Sequence, residues 1–226
     1  MSAYRIKKKR PRTPPPEEAP SITEDSPAAS GWRESPKGGA ALHGLCAIKT
    51  PLRAELCASL PAADWWTVSD ALQACGGSAV GLWIDLTNTR RYYEPRELPQ
   101  SVRYLKFQTA GHGLIEEQAR MNAAGADAVR RGLPSEEVAK AEKAASAAAR
   151  VVVHCTHGLN RTGYVVATAL CRLEPHIPLG EALAAFSEQR PPGLWREQYV
   201  RALHDTYGGA IPPLPPPPSW EHEGRK

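Results

Sequence analysis

The sequence predicts one α/β domain whose central, mainly parallel sheet is flanked by helices on both faces. Short apolar segments alternate with segments of helical periodicity, which is the pattern of parallel strands joined by helices. The 226 residues are 42% hydrophobic, enough for a single core of ordinary size. Prolines concentrate towards the ends, with seven of 22 before residue 37 and six between 212 and 218. The folded region should therefore be the middle of the chain.

Prolines and charges set the predicted boundaries. Residues 1–36 should form a disordered, basic and proline-rich tail, because they mix Pro, Ser, Glu, Lys and Arg without a hydrophobic period. Residues 37–208 should form the domain. Residues 209–226 should form a second proline-rich tail that is extended as polyproline II.

The first half of the domain contains three predicted strands and one helix. Residues 45–49, 79–86 and 102–107 are short apolar runs of strand length. Asp64 should cap the helix, and the glycines at 76–77 should end it. Its apolar residues recur at helical spacing: Trp65, Val68, Leu72 and Cys75.

The second half continues the alternation. Ser135 should cap an alanine-rich helix, after which the three valines at 151–153 favour a strand. Helices at 179–190 and 194–207 should complete the domain. With all strands buried between helices, we expect a sheet that is mainly parallel.

Net charge excludes one class of function. Six basic residues precede the first acid, Glu17, and leave 22 basic and 24 acidic residues for the rest of the chain. The domain is therefore near neutral, which argues against a broad basic surface that follows many phosphates of a duplex. A small, focused anion site is compatible with this balance. The basic cluster at 7–12 is either a nuclear-import signal, a weak nucleic-acid contact or a solvated tail.

Membrane, secreted and metal-binding classes are also disfavoured. No apolar run approaches the ~20 residues of a membrane helix, and the charged start of the chain lacks the apolar stretch of a signal peptide. The five cysteines are an odd number without a Cys-x-x-Cys pair. We expect an intracellular protein in a reduced compartment, with no metal, cofactor or membrane partner.

The most informative segment is residues 150–173, RVVVHCTHGLNRTGYVVATALCRL. A strand leads into Cys155, a short loop with Gly158 follows, and Arg161 begins an apolar helix. The amides of 156–161 can turn inward at the helix N-terminus and hold an anion directly at the cysteine. Cysteines in such settings have pKa values of about 3.5 to 7.5. We therefore expect Cys155 to be a nucleophilic thiolate at neutral pH.

The other loop residues have predicted roles around that anion. Arg161 should fork two phosphate oxygens and stabilise charge in the transition state. The Thr162 hydroxyl should hydrogen-bond the sulfur, and Asn160 should brace the loop. The predicted phosphate-binding residues are Thr156, His157, Gly158, Leu159, Asn160, Arg161 and Thr162.

The Cys-x5-Arg spacing resembles the cysteine-dependent phosphatase superfamily, and the wording of 154–163 is similar to one branch of it. HCTHGLNRTG resembles the loop of RNA 5′-triphosphatases, namely the triphosphatase domain of the mRNA capping enzyme and the RNA/RNP complex-1-interacting phosphatases, which are related to dual-specificity phosphatases. Three further stretches resemble the same group: GLWIDLTNTRRYY, GHG at 111–113, and RPPGLWREQY.

The resemblance implies a cysteine-phosphatase fold and removal of the γ-phosphate from 5′-triphosphate RNA through a phosphocysteine intermediate, without metal. This is the first step of mRNA capping or a step in the processing of uncapped RNA. Protein phosphatases of the superfamily place an aspartic acid on a loop before the cysteine, whereas this chain has KFQTAGHGLIEEQ there. A terminal phosphate, with a second pKa near 6, can leave without a proton.

Several residues have two open interpretations. Asp85 either assists proton transfer near the cysteine or accepts amides of the turn that follows it. His157 faces either the triphosphate or solvent. Arg90 and Arg91 either reach the β-phosphate or are solvated. His112 and Glu116, which lie in the segment before the cysteine, could assist the attacking water. Tyr92 and Tyr93 are either packing residues or base-stacking platforms.

Two other functions compete with the triphosphatase. In a dual-specificity protein phosphatase, Asp127 would be the general acid. A non-catalytic adaptor would bind 5′-triphosphate RNA or an RNP without turning it over. Expected partners are 5′-triphosphate RNA, a separate guanylyltransferase or RNP, and an SH3 or WW module on the proline-rich tail. We expect the protein in the nucleus, with the cytoplasm as an additional location.

Overall fold

A five-stranded sheet forms the centre of the computed structural model, which describes residues 27–108, 150–172 and 177–223. The strands lie in the order β1-β2-β5-β3-β4, with β1 antiparallel to β2 and the other neighbours parallel. Their bounds are β1 Gly38–Leu42, β2 Leu45–Lys49, β3 Val80–Asp85, β4 Arg103–Lys106 and β5 Arg150–Cys155. The predicted fold class, a mainly parallel sheet with helices, is confirmed.

Seven α-helices lie within the described residues. They are α1 Pro27–Glu34, α2 Ala54–Cys57, α3 Val68–Ala74, α4 Asn160–Arg172, α5 Leu179–Gln189, α6 Glu197–Tyr207 and α7 Trp220–Glu223. Short 3-10 helices occur at Ala62–Asp64, Gly77–Ala79 and Pro95–Glu97. None of the helices in these parts of the chain is long and apolar enough to cross a membrane.

The order of the strands places β5 in the middle of the sheet. Parallel pairing puts the carboxyl ends of β2, β3, β4 and β5 at one edge. In open α/β sheets, ligands bind at this edge. The segment after β5 therefore lies where the fold class predicts a site.

Side chains of the strands alternate between two apolar layers. On β5, Val153 and Cys155 pack with the buried residues of α4, α5 and α6, such as Val166 and Phe186. Val152 belongs to the other layer, with residues of α2 and α3. Helices thus cover both faces, and neighbouring residues at the end of β5 enter different surroundings.

The start of the domain differs from the prediction. The predicted tail contains α1, and Trp32 on this helix is 3% exposed and donates from Nε1 to the Thr50 carbonyl at 2.8 Å. A tryptophan that is buried and hydrogen-bonded here makes residues 27–36 part of the fold. β1 was also not predicted, because its sequence GGAAL has little strand propensity. Its pairing with β2 in a tight hairpin supplies the missing stability.

Helix α3 begins later than predicted. Its N-cap is Thr67, whose hydroxyl accepts from the Asp70 amide while the Asp70 side chain accepts from the Thr67 amide. This reciprocal capping box satisfies two helix-end donors. Asp64 instead ends a 3-10 helix and pairs with Arg33 at 2.9 Å. The predicted cap was therefore wrong by three residues.

The proline-rich segment at residues 209–218 also packs on the domain and does not form a detached tail. Residues 209–218 have no helix or strand, but Leu214 packs against the α4 to α6 layer. Pro212, Pro213 and Pro215 line the same surface groove as Leu183 and Val200. The proline-rich segment therefore packs along the surface of the domain and is followed by α7.

Some predicted features lie outside the described residues. These are the basic cluster at 7–12, the helix capped by Ser135, the GHG motif, and the candidate acids and bases His112, Glu116 and Asp127.

Candidate active site

The loop after β5 is joined to both neighbouring strands at the sheet edge. The Thr50 amide donates to the Thr156 carbonyl at 3.1 Å, and the Leu86 amide donates to the His154 carbonyl at 2.8 Å. Thr50 follows β2 and Leu86 follows β3, so the loop begins at a fixed position between them. Helix α4 starts at Asn160, five residues after Cys155. The strand, loop and helix predicted from the sequence are confirmed.

Cys155 is the buried ionisable group of this loop, at 3% exposure. Burial raises the pKa of its thiol, but the Arg161 charge, the Thr162 hydroxyl and the amides of Thr162 and Leu159 together outweigh burial. The net effect is a pKa below the ordinary value. The thiolate is the nucleophilic form of cysteine, so this environment favours nucleophilic chemistry.

The hydroxyl of Thr162 is available to the sulfur. Thr162 is fully buried, and within the described ranges its Oγ1 forms no hydrogen bond with another oxygen or nitrogen. The same hydroxyl is one of the groups that lower the Cys155 pKa. A buried hydroxyl without an acceptor is costly, and a thiolate would supply that acceptor.

Arg161 lies between the loop and the end of β3. Its Nη1 donates to the Leu86 carbonyl at 3.0 Å, and its Nη2 donates to Thr156 Oγ1 at 3.3 Å. These contacts hold the guanidinium close enough to Cys155 to stabilise the thiolate. The structure thus brings the predicted nucleophile and the predicted phosphate ligand together.

Asn160 and Gly158 fix the shape of the loop. Asn160 Oδ1 accepts from the amides of Trp195 and Arg196 at 3.2 and 3.1 Å, which ties the loop to the segment before α6. Gly158 has φ +68°, and a Cβ there would lie 2.1 Å from the Ile48 carbonyl oxygen. A side chain would be both strained and sterically excluded at this position.

His157 is partly exposed, and it packs against the end of the chain. Its ring packs at 4.7 Å, tilted, against the Trp220 ring of α7. Burial and the charges of Arg161, Arg196 and Lys49 lower its pKa to about 3. His157 is therefore neutral at physiological pH, and α7 covers it.

Asp85 lies on the other side of the sheet from Cys155. It is paired in register with His154, so it shares a face with Trp83 and His154 rather than with Cys155. Its Oδ1 accepts from the amide and hydroxyl of Thr87, both at 2.7 Å. The structure therefore corrects the proton-transfer interpretation and agrees with the alternative, in which Asp85 accepts from the turn.

The second carboxylate oxygen of Asp85 is also fully used. Oδ2 accepts from Tyr104 and Lys106 at 2.8 Å and lies 3.2 Å from the Tyr93 hydroxyl, which is 2.7 Å from His154 Nε2. Burial raises the pKa of Asp85, but nearby His154 and donors from Lys106 and Thr87 lower it to about 2. Burial lowers the pKa of His154, so near neutral pH the ion-pair partner of Asp85 is the Lys106 ammonium at 2.8 Å. An ionised, saturated carboxylate cannot be a general acid.

Lys106, Tyr104 and Arg190 had no role predicted from the sequence. Tyr104 and Lys106 lie on β4 and reach Asp85 only because β3 and β4 pair in register. Arg190 is the first residue of the RPPGLWREQY stretch. The resemblance of that stretch to RNA 5′-triphosphatases was the sequence signal that could have identified it. These residues are 19 to 33 positions from their partners, beyond the reach of local patterns.

The remaining candidate residues are either exposed to solvent or buried in the core. Arg90 and Arg91 are exposed, which agrees with the solvated interpretation. Tyr92 and Tyr93 are 5% and 4% exposed and pack in the core, in agreement with packing roles. Within the described residues, no group of three His, Cys, Asp or Glu is arranged to hold a metal ion.

The chain is similar in sequence to two groups of curated proteins, although no protein-family model matches it. It is 32% identical over 146 residues to the mRNA-capping enzyme of Danio rerio, covering 62% of this chain and 22% of that protein. It is 35% identical over 128 residues to the RNA/RNP complex-1-interacting phosphatase of Bos taurus, covering 56% and 35%. The chain thus spans less than two thirds of the length of these relatives.

The structural comparison concerns the fold. The crystal structure of PTPMT1 in complex with PI(5)P matches with a TM-score of 0.50 at 15% identity, covering 76% of this chain and 95% of that chain. At this identity the likeness shows the architecture alone. The chain has the cysteine-phosphatase fold, and its resemblance to capping enzymes and RNA/RNP complex-1-interacting phosphatases is confirmed.

Proposed function

We propose that this protein is a polynucleotide 5′-phosphatase that removes the γ-phosphate from 5′-triphosphate RNA. The observation that carries the proposal is a cysteine of lowered pKa at the end of the central strand, with Arg161 and loop amides around its sulfur. Such a group is both a nucleophile and part of an anion site. The relatives named as capping enzymes and RNA-interacting phosphatases support RNA as the substrate.

In the first step, the Cys155 thiolate attacks the γ-phosphorus. The S–P bond forms as the bond from phosphorus to the bridging oxygen breaks, and the RNA leaves with a 5′-diphosphate. The leaving terminal phosphate has a second pKa near 6, so it departs without protonation. This is why a saturated Asp85 is compatible with the reaction. Arg161 and the amides of 156–161 stabilise the phosphoryl oxygens.

In the second step, water attacks the phosphocysteine. The new P–O bond forms as the S–P bond breaks, inorganic phosphate is released, and the thiolate returns with its electron pair. A lowered thiol pKa also makes the sulfur a better leaving group in this step. The Thr162 hydroxyl, which has no other partner in the described residues, would donate to the sulfur as charge returns.

The positive charge of the site comes from protein groups, so we propose that no metal is needed. Arg161 and the helix N-terminus supply the electrostatic stabilisation that a divalent cation provides in other phosphoryl-transfer enzymes. Activity should accordingly persist in EDTA.

One assay tests the proposal against both competing functions. γ-labelled triphosphate RNA and a phosphotyrosine peptide are incubated separately with the protein in EDTA. Label release from RNA, reduced by Cys155→Ser to below about a thousandth of the original rate, is the expected result. Preferential hydrolysis of the peptide would favour a dual-specificity protein phosphatase, and RNA retention without release would favour an adaptor. Cys171→Ser, on the far part of α4, is the matched control.

The physiological partners are part of the same proposal. We propose that the protein acts in the nucleus on nascent or uncapped RNA, with a separate guanylyltransferase or RNP as partner. An SH3 or WW module that bound the proline-rich segment would compete with its groove on α5 and α6, because Pro212, Pro213 and Pro215 lie there. Co-localisation of a tagged chain with nuclear RNA-processing complexes is the measurement.

A further inference from the structure

Arg190 is a buried cation that the proposed chemistry does not use. It is the C-cap of α5 and is 0% exposed, which makes it one of the largest fully buried side chains in the described residues. Arginine is rarely buried to this extent unless its charge is paired. Among the described residues, no Asp or Glu forms an ion pair with it.

Its hydrogen bonds go to carbonyl groups instead. Nε donates to the Gly158 carbonyl at 3.1 Å, and Nη2 donates to the His157 carbonyl at 2.8 Å. Nη1 donates to the Pro36 carbonyl at 2.7 Å. Two of the three acceptors therefore belong to the phosphate-binding loop, and the third lies in the segment before β1.

The geometry of the peptide bond makes these contacts important for Cys155. In a trans peptide, the carbonyl and the N–H of the next residue point in opposite directions. The Gly158 carbonyl points at Arg190, so the Leu159 N–H of the same peptide points away from it. That N–H is one of the two loop amides that stabilise the Cys155 thiolate. Arg190 thus fixes the direction of a donor on the opposite side of the loop.

The Arg190 guanidinium is closely packed between two backbone glycines. A Cβ at Gly158 would lie 2.5 Å from its Nη2, and a Cβ at Gly38 would lie 2.7 Å from its Nη1. The guanidinium is held between the loop and the start of β1, with glycine required on both sides. Such close packing transmits the position of the guanidinium directly to the loop.

We propose that Arg190 is a positioning residue, which holds the phosphate-binding loop from inside the domain so that its amides face the Cys155 sulfur. This inference rests on the proposed function of Cys155 as nucleophile. The positive charge of Arg190 also favours the thiolate form of Cys155. Burial lowers the pKa of Arg190 to about 10, and the largest opposing influence is the charge of the Cys155 thiolate. The buried cation and the thiolate stabilise each other.

The test measures Cys155 directly. The rate of carboxymethylation of Cys155 by iodoacetate is followed by mass spectrometry of the Cys155 peptide across the pH range, for the full chain and for Arg190→Gln and Arg190→Lys. In Arg190→Gln, the midpoint of the alkylation profile should rise by at least about one pH unit, which is about a tenfold loss of thiolate at a fixed pH below it. The rate of γ-phosphate release should fall by about tenfold or more.

Arg190→Lys keeps the charge but not the fork, and one ammonium cannot reach three diverging carbonyls. It should fold, raise the midpoint by less than Arg190→Gln does, and lower kcat more than it raises KM. If Arg190→Gln does not fold, Arg190→Lys decides: a folded Lys variant with the original midpoint and turnover overturns the proposal.

Arg150→Gln is the matched control. Arg150 Nη1 also donates to a carbonyl, that of Cys75 at 2.9 Å, but at the other end of β5 from Cys155. Its loss should lower stability and leave the alkylation midpoint unchanged; an equal shift would show a general effect of destabilisation and overturn the specific role. Alkylation needs no RNA. A chain that keeps a low midpoint but releases no γ-phosphate would contradict the proposed function and leave the role of Arg190 intact.

Discussion

Cys155 and His154 are consecutive residues whose side chains enter opposite faces of the sheet. On the Cys155 face, loop amides, the Thr162 hydroxyl and Arg161 converge on one sulfur. On the His154 face, Asp85 accepts from Thr87, and from other donors at 2.7 to 2.8 Å, so that each of its oxygens is occupied. Both carboxylate and thiol have lowered pKa values, but the carboxylate is the centre of a completed hydrogen-bond network, whereas the thiol lies in the loop to which the proposed function assigns phosphate binding.

The difference shows that a perturbed pKa alone does not identify a reactive residue. Asp85 is ionised because its hydrogen bonds are complete, and complete hydrogen bonding is a source of stability. The Cys155 pKa is lowered by donors around its sulfur, and under the proposed function a phosphoryl group would share those donors. If this distinction is right, substitutions on the two faces should have opposite signatures, with activity lost on one face and stability lost on the other.

The largest expected effect is on the Cys155 face. Arg161→Lys should lower γ-phosphate release by about 10²- to 10³-fold, because an ammonium cannot reproduce the bidentate fork on two phosphoryl oxygens. The melting temperature should change little, since Arg161 is only partly buried. Arg201→Lys, in an exposed pair with Glu197, is the control and should keep full activity. Near-normal turnover of Arg161→Lys would contradict the assigned role.

The next effect is on the His154 face. Asp85→Asn should lower the free energy of unfolding by about 3 kcal/mol, because it leaves the Lys106 ammonium, 7% exposed, without its carboxylate. Urea unfolding near neutral pH measures this. Asp64→Asn, in a partly exposed pair with Arg33, should cost less than about 1 kcal/mol. If Asp85→Asn lost more activity than Arg161→Lys at a temperature where it is folded, Asp85 would have to take part in the reaction.

The same network has a pH dependence of defined sign. The folded pKa of Asp85 is about 2 and its ordinary value is about 3.9. The carboxylate therefore contributes its full stability above about pH 3.9, and the contribution is lost as the pH falls towards 2. The stability difference between the original chain and Asp85→Asn should narrow over this range. A difference that stays constant down to about pH 3 would mean that Asp85 titrates normally.

The smallest expected effect concerns the covering helix α7. Trp220→Ala removes the ring that packs at 4.7 Å on His157 and at 5.7 Å on Trp195. Unfolding free energy should fall by about 1 kcal/mol. Because burial is the main cause of the low His157 pKa, that pKa should rise from about 3, which an NMR titration of the ring measures. Trp65→Ala, whose ring is exposed, should leave the His157 pKa unchanged.

Local sequence determined the elements that position the nucleophile. The valines before Cys155, the glycine in the loop and the apolar helix after it lie within about 20 residues. Short-range spacing specifies such a strand, loop and helix, because periodicity and turn chemistry act over a few residues. The predicted strands at 45–49 and 79–86 and the helix at 179–190 were confirmed to within a few residues for the same reason.

Tertiary structure decided which polar residues meet. Asp85 and His154 share a face because β3 and β5 pair in register, and a shift by one residue would have placed Asp85 with Cys155. Arg190 meets the loop carbonyls 32 and 33 residues away only through the packing of α5. Spacing along the chain identifies the reactive sulfur, but register and packing between distant elements determine which neighbours support it, since those contacts have no local pattern.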